Sequence, residues 1–413
     1  MPSPLPANAL IRLALTLLPR RRYGGRARPS RKPAVHSRRE IPLGRAASLT
    51  TEPPPDDGRQ PGAAVSELAP ARAELRPPAG EDALGEDALS ELVAQVRPDL
   101  EACNRAIIAR MDSPVALIPQ LAAHIVAAGG KRLRPVLTLA AARLCGYGGG
   151  GGQRHVNLAA CVEFIHTATL LHDDVVDESQ LRRGLASANA VFGNQASVLV
   201  GDFLFARAFQ LMVADGSLKV LEILSAAAAT IAEGEVLQLV TQNDLATTEG
   251  RYLDVVRGKT AALFAAACEI GPVIAGRPAA EQAALRDYGM NLGIAFQLVD
   301  DALDYAADQA VLGKTVGDDF REGKITLPVL AAYAAGDAAE RAFWQRTIEA
   351  NEQTEADLAQ ALRLMQTRGA IRATLDRAAQ FAALAKQRLA RFPDSRLRRS
   401  LAAVADYTVS RAR

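Results

Sequence analysis

From about Ser90 to the C-terminus, apolar residues recur at steps of three and four, as in Leu121, Ile125 and Ala128, or Leu221, Leu224 and Ala228. Such spacing returns a side chain to one face of an α-helix, and no stretch sustains the period-two alternation of a half-buried strand. The joints between these runs are short and polar: Gly146-Tyr147 followed by Gly148–Gly152, Asp215-Gly216, Gly276-Arg277-Pro278 and Gly336-Asp337. The five-glycine run lacks the Lys-Ser/Thr that follows a phosphate loop, so it reads as a flexible interhelical joint. Aromatics make up 5% of a chain that is 49% apolar, which leaves Ala, Leu, Val and Ile to fill the core. That mixture suits close-packed helices better than a β-sandwich. The expected fold is all-α, a single large helical bundle around a central cavity, spanning residues 90–413.

The first 85 residues differ in kind. Fourteen of the 22 prolines lie within residues 1–80, with Arg20-Arg21-Arg22 and Pro53-Pro54-Pro55 among them. A segment so poor in burial cannot offset the entropy of ordering, and it is expected to be a disordered extension. Its opening Ala9–Leu18 followed by arginines has the basic, acid-poor character of an organellar transit peptide. The alternative is an unstructured or wrongly started bacterial extension, since Arg outnumbers Lys 41 to 7. A tandem, Gly80–Leu84 repeated as Gly85–Leu89, bridges to the folded part. Residues 1–46 carry a net of +10 in a chain whose formal net is +2, so the folded body is acidic and a poor nucleic-acid binder. No run reaches the roughly 18 uninterrupted apolar residues of a membrane span. Cys103, Cys145, Cys161 and Cys268 are widely spaced without a CxxC, which suggests reduced core thiols in a cytosolic or matrix-like compartment.

Two acidic clusters stand out: Asp173-Asp174-Val175-Val176-Asp177 after Leu170-Leu171-His172, and Asp300-Asp301-Ala302-Leu303-Asp304 after Phe296-Gln297-Leu298-Val299. Each reads D-D-x-x-D at the end of an apolar helical run. Residues four apart on a helix lie one turn apart on one face, so Asp173 and Asp177 project together, as do Asp300 and Asp304. One such pair is ordinarily a solvated helix face. Two copies, each in apolar surroundings where an unpaired charge is costly, point instead to a hard cation such as Mg²⁺ sharing oxygen ligands with water and phosphate. His172 adjoins the first cluster, but its nitrogen is a poor match for Mg²⁺, so it is expected to orient a neighbour. Four of the seven lysines fall in short polar signatures: Lys131 in Gly129-Gly130-Lys131-Arg132-Leu133-Arg134-Pro135, Lys259 in Gly258-Lys259-Thr260, Lys314 in Gly313-Lys314-Thr315, and Lys324 in Glu322-Gly323-Lys324. Arg182-Arg183 follow the first acidic run. Singly, each is an ordinary surface charge; with the aspartates they make a diphosphate clamp, in which metal bridges carboxylate to phosphate and Lys or Arg neutralises the remaining oxygens.

With these motifs in order, from GGKRLRP through DDVVD, GKT and FQLVDDALD to GKTVGDDFREGKITLP at 313–328, the chain resembles the trans-isoprenyl diphosphate synthase (polyprenyl synthetase) family. It is most similar to the long-chain octaprenyl and decaprenyl type that makes quinone side chains. The match runs from about residue 90 to the C-terminus. The resemblance implies the isoprenoid synthase fold, a homodimer, and Mg²⁺-dependent head-to-tail condensation of isopentenyl diphosphate with an allylic diphosphate such as farnesyl or geranylgeranyl diphosphate. It assigns Lys131, Arg134, His166 and Arg183 to isopentenyl diphosphate. It assigns Asp173 and Asp177 to the metal of the allylic diphosphate, supported by Asp174, and completes the metal site with Asp300, Asp301 and Asp304. Arg182, Lys259, Thr260, Gln297, Lys314 and Lys324 are implied as allylic-substrate contacts, with Lys259 stabilising the leaving diphosphate.

Ala168 and Thr169, five and four residues before Asp173, are small where short-product members carry aromatics. The tunnel is therefore expected to be open and products to exceed C20, reaching C40–C50, with Ile165 and Phe164 as a floor. The tail Asp406–Arg413 is similar to family C-termini whose basic end lies near the active site. The competing readings are a terpene cyclase or head-to-head condensing enzyme, a short-chain synthase, a non-catalytic subunit, and a tail-driven nucleic-acid or membrane binder. GGKRLRP argues against the first, and intact aspartate motifs argue against the non-catalytic subunit. The expected location is the bacterial cytoplasm, or the mitochondrial matrix if the extension is a transit peptide, with peripheral membrane contact for product release.

Overall fold

Helices account for about 79% of the described residues. The structure, a computed structural model, describes residues 82–127, 130–148, 152–182, 184–306 and 316–412. Most of the expected disordered extension, Gly129, the middle of the five-glycine run, Arg183 and Lys314 lie outside the described residues. In chain order the elements are α1 (Asp82–Arg110), α2 (Leu117–Ala127), α3 (Leu133–Leu144), α4 (Arg154–Val176), β1 (Leu181–Arg182), β2 (Leu185–Ala186), α5 (Ala188–Phe192), α6 (Asn194–Asp215), α7 (Leu218–Thr241) and α8 (Glu249–Val256). A π-turn at Arg257–Ala261 leads into α9 (Ala262–Ile274), followed by α10 (Ala279–Ala306), α11 (Asp318–Arg321), α12 (Leu327–Ala335) and α13 (Ala338–Trp344). A second π-turn at Gln345–Glu349 precedes α14 (Asp357–Thr367), α15 (Ala370–Leu389) and α16 (Arg396–Ser410). The first helix begins at Asp82, inside the GEDAL tandem rather than beyond it. The only strands among the described residues form a two-residue antiparallel hairpin, Arg182 opposite Leu185 and Leu181 opposite Ala186.

Local chemistry sets the helix ends. Ser217, Thr248 and Ser395 accept hydrogen bonds from Val220, Arg251 and Arg398 N–H groups at the starts of α7, α8 and α16. Asp337 and Glu340 form a reciprocal capping box on α13. A principal core runs through α1, α3, α4, α6, α9, α10, α15 and α16, built from residues such as Leu158, Phe164, Phe264, Leu292 and Leu298. A smaller cluster around Trp344, Phe320 and Ile348 packs the segment after α10. All four cysteines are buried and free. Burial pushes the Cys103 and Cys145 thiols up to about 12, which leaves them inert.

Helix α6 qualifies that picture. Among the described residues it is the one helix long and apolar enough, by length and composition, to cross a membrane. It buries Ala196, Ser197, Val200, Leu204, Ala208 and Leu211 along α4 and also carries Asp202 and Arg207, as a core helix does. Its other face exposes Val198, Leu199, Phe209 and Val213, beside exposed Val236, Leu239 and Val240 on α7.

Candidate active site

The first aspartate motif sits where its helix stops. Asp173 and Asp174 occupy the last turn of α4, and Asp177 is the C-cap, its N–H donating to the Asp173 carbonyl. The expectation of Asp173 and Asp177 on one continuous helical face is thus modified, because the helix closes at Val176. Carboxylates at a helix C-terminus face the negative end of the macrodipole, so each needs a cation. Asp174, 2% exposed, is gripped by Arg182: Nε donates to Oδ1 at 2.7 Å and to Oδ2 at 2.9 Å, and Nη2 to Oδ1 at 2.5 Å. The β1–β2 hairpin delivers Arg182, and Asn189 Nδ2 ties down the Asp174 carbonyl at 3.0 Å. Arg182 therefore spends its fork on Asp174. Together they line a small pocket behind the motif, with Thr167, Leu170 and Leu171.

Asp173 and Asp177 point elsewhere. Burial, with Glu235 and Asp177 nearby, pushes the Asp173 carboxyl up to about 7, against the opposing pull of Lys259 and Arg182. Lys259 Nζ donates to Glu235 Oε2 at 2.9 Å. Burial alone would lower this ammonium; Asp173 and Glu235 hold it above its ordinary range. Lys324 Nζ donates to Asp177 Oδ2 at 3.2 Å and pairs with Glu322 at 2.5 Å, and its acidic neighbours Asp319, Asp177 and Glu322 outweigh burial to raise it.

Lys259 and Thr260 are presented by the π-turn, whose closing N–H from Ala262 reaches back to the Arg257 carbonyl. A π-turn is a strained, uncommon insertion that recurs at functional sites. Two glycines permit it to press on α7: a Cβ at Gly258 would meet Gly234 Cα at 2.8 Å, and one at Gly234 would meet the Lys259 nitrogen at 2.5 Å.

The second motif lies on the last turns of α10. Asp301, 4% exposed, accepts from the Tyr252 hydroxyl and from Gln297 Nε2 at 2.8 Å. Burial pushes its carboxyl up to about 7. Thr260 Oγ1 in turn donates to Gln297 Oε1 at 2.7 Å. Asp300 accepts from Arg411 Nη2 at 2.5 Å, and that guanidinium stacks 4.3 Å from the Phe296 ring centroid. Asp304 Oδ2 accepts the Asp319 N–H at 3.2 Å. One short segment, Gly317–Lys324, therefore touches both motifs, Asp304 through Asp319 and Asp177 through Lys324.

The GGKRLRP residues meet α4 farther back. Arg134 Nη1 donates to His166 Nε2 at 3.0 Å, with its guanidinium 4.5 Å from the Phe264 ring centroid. Exposed Lys131 donates to the Tyr407 hydroxyl at 3.3 Å. His166 precedes Asp173 by seven residues, about 10 Å along the helix. Two anion sites on one stripe of α4 follow. Thr169 shares that stripe, whereas Ala168 is fully buried in register with Cys161 and His172, which bond to Ala208 and Val198 carbonyls on α6. His172 thus faces α6, away from the aspartates.

Among the described residues, no three carboxylate, imidazole or thiol groups gather closely enough to hold a metal unaided. The donors present nonetheless fit Mg²⁺. Asp173, Asp177, Asp300 and Asp304 offer only hard oxygens, and the raised Asp173 carboxyl is a desolvated acid that a divalent ion would ionise. Non-protein oxygens, such as phosphate, would complete the coordination. Sequence reasoning missed Glu235, Tyr252 and Glu163, which are brought in through long-range contacts, and gave Arg132 and Tyr407 no role of their own. For Arg411 the basic tail gave a hint.

A mainly helical body in which one segment links two aspartate motifs ringed by Lys and Arg fits a class, the enzymes that act on diphosphates of apolar alcohols. The polyprenyl synthetase family model matches residues 115–365. Octaprenyl diphosphate synthase of Escherichia coli is 49% identical over 325 residues, covering 79% of this chain and 98% of the relative. The crystal structure of a decaprenyl diphosphate synthase from Rhodobacter capsulatus superposes with a TM-score of 0.75 at 56% identity, covering 79% of this chain and 99% of that one. A polyprenyl synthase from Caulobacter crescentus complexed with calcium and isoprenyl diphosphate gives 0.76 at 55% identity, with 79% and 98% covered. The chain belongs to the polyprenyl synthetase family, and it is a trans-prenyltransferase.

Proposed function

We propose that this enzyme condenses isopentenyl diphosphate repeatedly with an allylic diphosphate, farnesyl or geranylgeranyl diphosphate, to build an all-trans polyprenyl diphosphate of C40–C50 for quinone side chains. The observation that carries the reading is the attachment of Gly317–Lys324 to both aspartate motifs, which makes one polar mouth of Asp177, Lys324, Asp319 and Asp304. Lys131, Arg134 and His166 receive isopentenyl diphosphate together with Arg183, while Lys314 is assigned to the allylic diphosphate; the last two lie outside the described residues. Asp173, Asp177, Asp300 and Asp304 hold Mg²⁺, a reading supported by the calcium in the Caulobacter crescentus relative. Mg²⁺, when bound, offsets negative charge on the diphosphate and eases its departure.

The chain's own groups then divide the work. Lys259 and Lys324 stabilise charge on the departing diphosphate as its C–O bond breaks. Thr260 donates to Gln297 and Gln297 donates to Asp301, so the hydrogens of this relay point toward Asp301. Lone pairs on Thr260 Oγ1 and Gln297 Oε1 remain for the allylic cation. The double bond of isopentenyl diphosphate attacks that cation, and a proton passes to the departed diphosphate. Apolar walls exclude water that would trap the cation.

The small residues Ala168 and Thr169, and the octaprenyl and decaprenyl relatives, support a long product. The exposed apolar stripe on α6 and α7 supports burial against a second copy as a homodimer. Bacterial relatives and free, buried thiols support a cytoplasmic location, with membrane contact at product release. Incubation with radiolabelled isopentenyl diphosphate, farnesyl diphosphate and Mg²⁺, followed by sizing of the prenyl alcohols, tests the reading. Products that stop at C20 would overturn the long-chain assignment.

A further inference from the structure

We infer that Glu163 is a positioning residue for the isopentenyl diphosphate site, acting through Arg132, neither of which needs to touch substrate. The inference rests on the assignment of Lys131, Arg134 and His166 to that substrate. Arg132 has φ +48° and ψ +36°, a left-handed conformation that a non-glycine residue adopts only when its surroundings hold it there. It stands immediately before α3, yet its side chain makes no capping bond to that helix. Its guanidinium instead pairs with the carboxylate of Glu163, a residue 7% exposed in the middle of α4. A carboxylate so buried requires a fixed cation, so the pair is a permanent anchor.

Arg134, two residues on, reaches His166, which lies three residues beyond Glu163 and so nearly one turn along α4. The two arginines therefore key the motif onto α4 at two consecutive points. Lys131, between the glycines and the anchor, is left exposed with Nζ near Tyr407. Were Arg132 to let go, its backbone would relax toward negative φ. The two diphosphate-binding cations on either side of it would then lose their relative placement. Arg132 is thus present in GGKRLRP to set the loop, and Glu163 to hold Arg132.

The test compares steady-state kinetics of the full chain carrying Glu163→Gln, Arg132→Gly and the two together, with Lys131→Ala as a check on the substrate assignment. Glycine adopts positive φ without strain, so Arg132→Gly keeps the permitted backbone but removes the ion pair. The double variant leaves no buried charge unpaired and keeps the test decisive if Glu163→Gln alone fails to fold by circular dichroism. The expected result is a KM for isopentenyl diphosphate raised roughly tenfold in each folded variant, with the allylic KM and kcat within about twofold of wild type. Wild-type KM for isopentenyl diphosphate in the folded double variant would overturn the inference, as would an equal rise in both KM values, which marks a merely structural role. If Lys131→Ala instead raises the allylic KM, the site assignment itself falls and takes the inference with it.

Discussion

Lys324 Nζ lies 3.2 Å from Asp177 Oδ2, a link across 147 residues of sequence that joins the C-cap of α4 to the segment following α10. Its neighbour Asp319 binds Asp304 through the backbone, so Lys324 secures one side of a bridge whose other side is the second motif. Lys324→Met keeps the aliphatic stem and removes the charge. It is expected to lower kcat by about 10²-fold, the scale of removing one preorganised electrostatic group, with helical content unchanged by circular dichroism.

Asp173→Ala and Asp300→Ala are each expected to lower kcat by at least roughly 10²-fold while leaving the fold intact, because each deletes a candidate metal oxygen and no core packing. Single-turnover assays across a wide Mg²⁺ range check this. Recovery of full turnover at high Mg²⁺ in either variant would show that the deleted carboxylate is not needed.

Protons and metal should compete at the first motif. The Asp173 carboxyl is raised to about 7, chiefly by burial, so in the metal-free protein it is protonated below that value and ionised above it. Metal binds the ionised form, so the Mg²⁺ concentration for half-maximal activity should rise as pH falls from 8 to 6, by up to about tenfold per pH unit below about 7. The same raised value means that folding binds a proton between about pH 4 and 7. This group's contribution therefore makes the metal-free protein less stable as pH rises through that window. Activity titrations and thermal melts without metal, at matched ionic strength, check both signs.

Product length offers a geometric test. Thr169 shares the stripe of His166 and Asp173, whereas Ala168 is fully buried in register with residues that touch α6. Thr169→Phe is expected to shorten the product with little change in Tm. Ala168→Phe is expected to shorten it too, and also to lower stability by about 1–3 kcal/mol through overpacking of the α4–α6 seam. Chromatographic sizing of the prenyl alcohols together with thermal melts separates the two effects. An unchanged product from Thr169→Phe would place the growing chain elsewhere.

The helices, the two aspartate motifs and the GGKRLRP segment were legible because each is local: periodicity, spacing and composition within a dozen residues. Their partners were not. Nothing near Glu235 marks it as the acceptor for Lys259, and nothing near Tyr252 marks it as the donor to Asp301, because those contacts depend on how distant helices pack. For Arg182 the family resemblance implies an allylic-substrate contact, and its hold on Asp174 is a partnership the motif spacing does not reveal. In the structure its fork is spent on Asp174, brought there by a hairpin too short to leave a strand signature. Likewise Asp177 looked like a helix residue until the end of α4 put it at the cap.

The π-turn at Arg257–Ala261 works as a phase shifter. One additional residue in the winding turns everything after it by about 100° relative to everything before. Polar Lys259 and Thr260 can thereby look inward while α9 continues as an almost wholly buried rod. Excising Gly258 would restore ordinary winding without removing any functional side chain, and it would swing that lysine and threonine off their bearing. A single-residue deletion that spares every catalytic side chain would thus turn the lysine and threonine away, and it would also set a Cβ against Gly234 where only glycine fits.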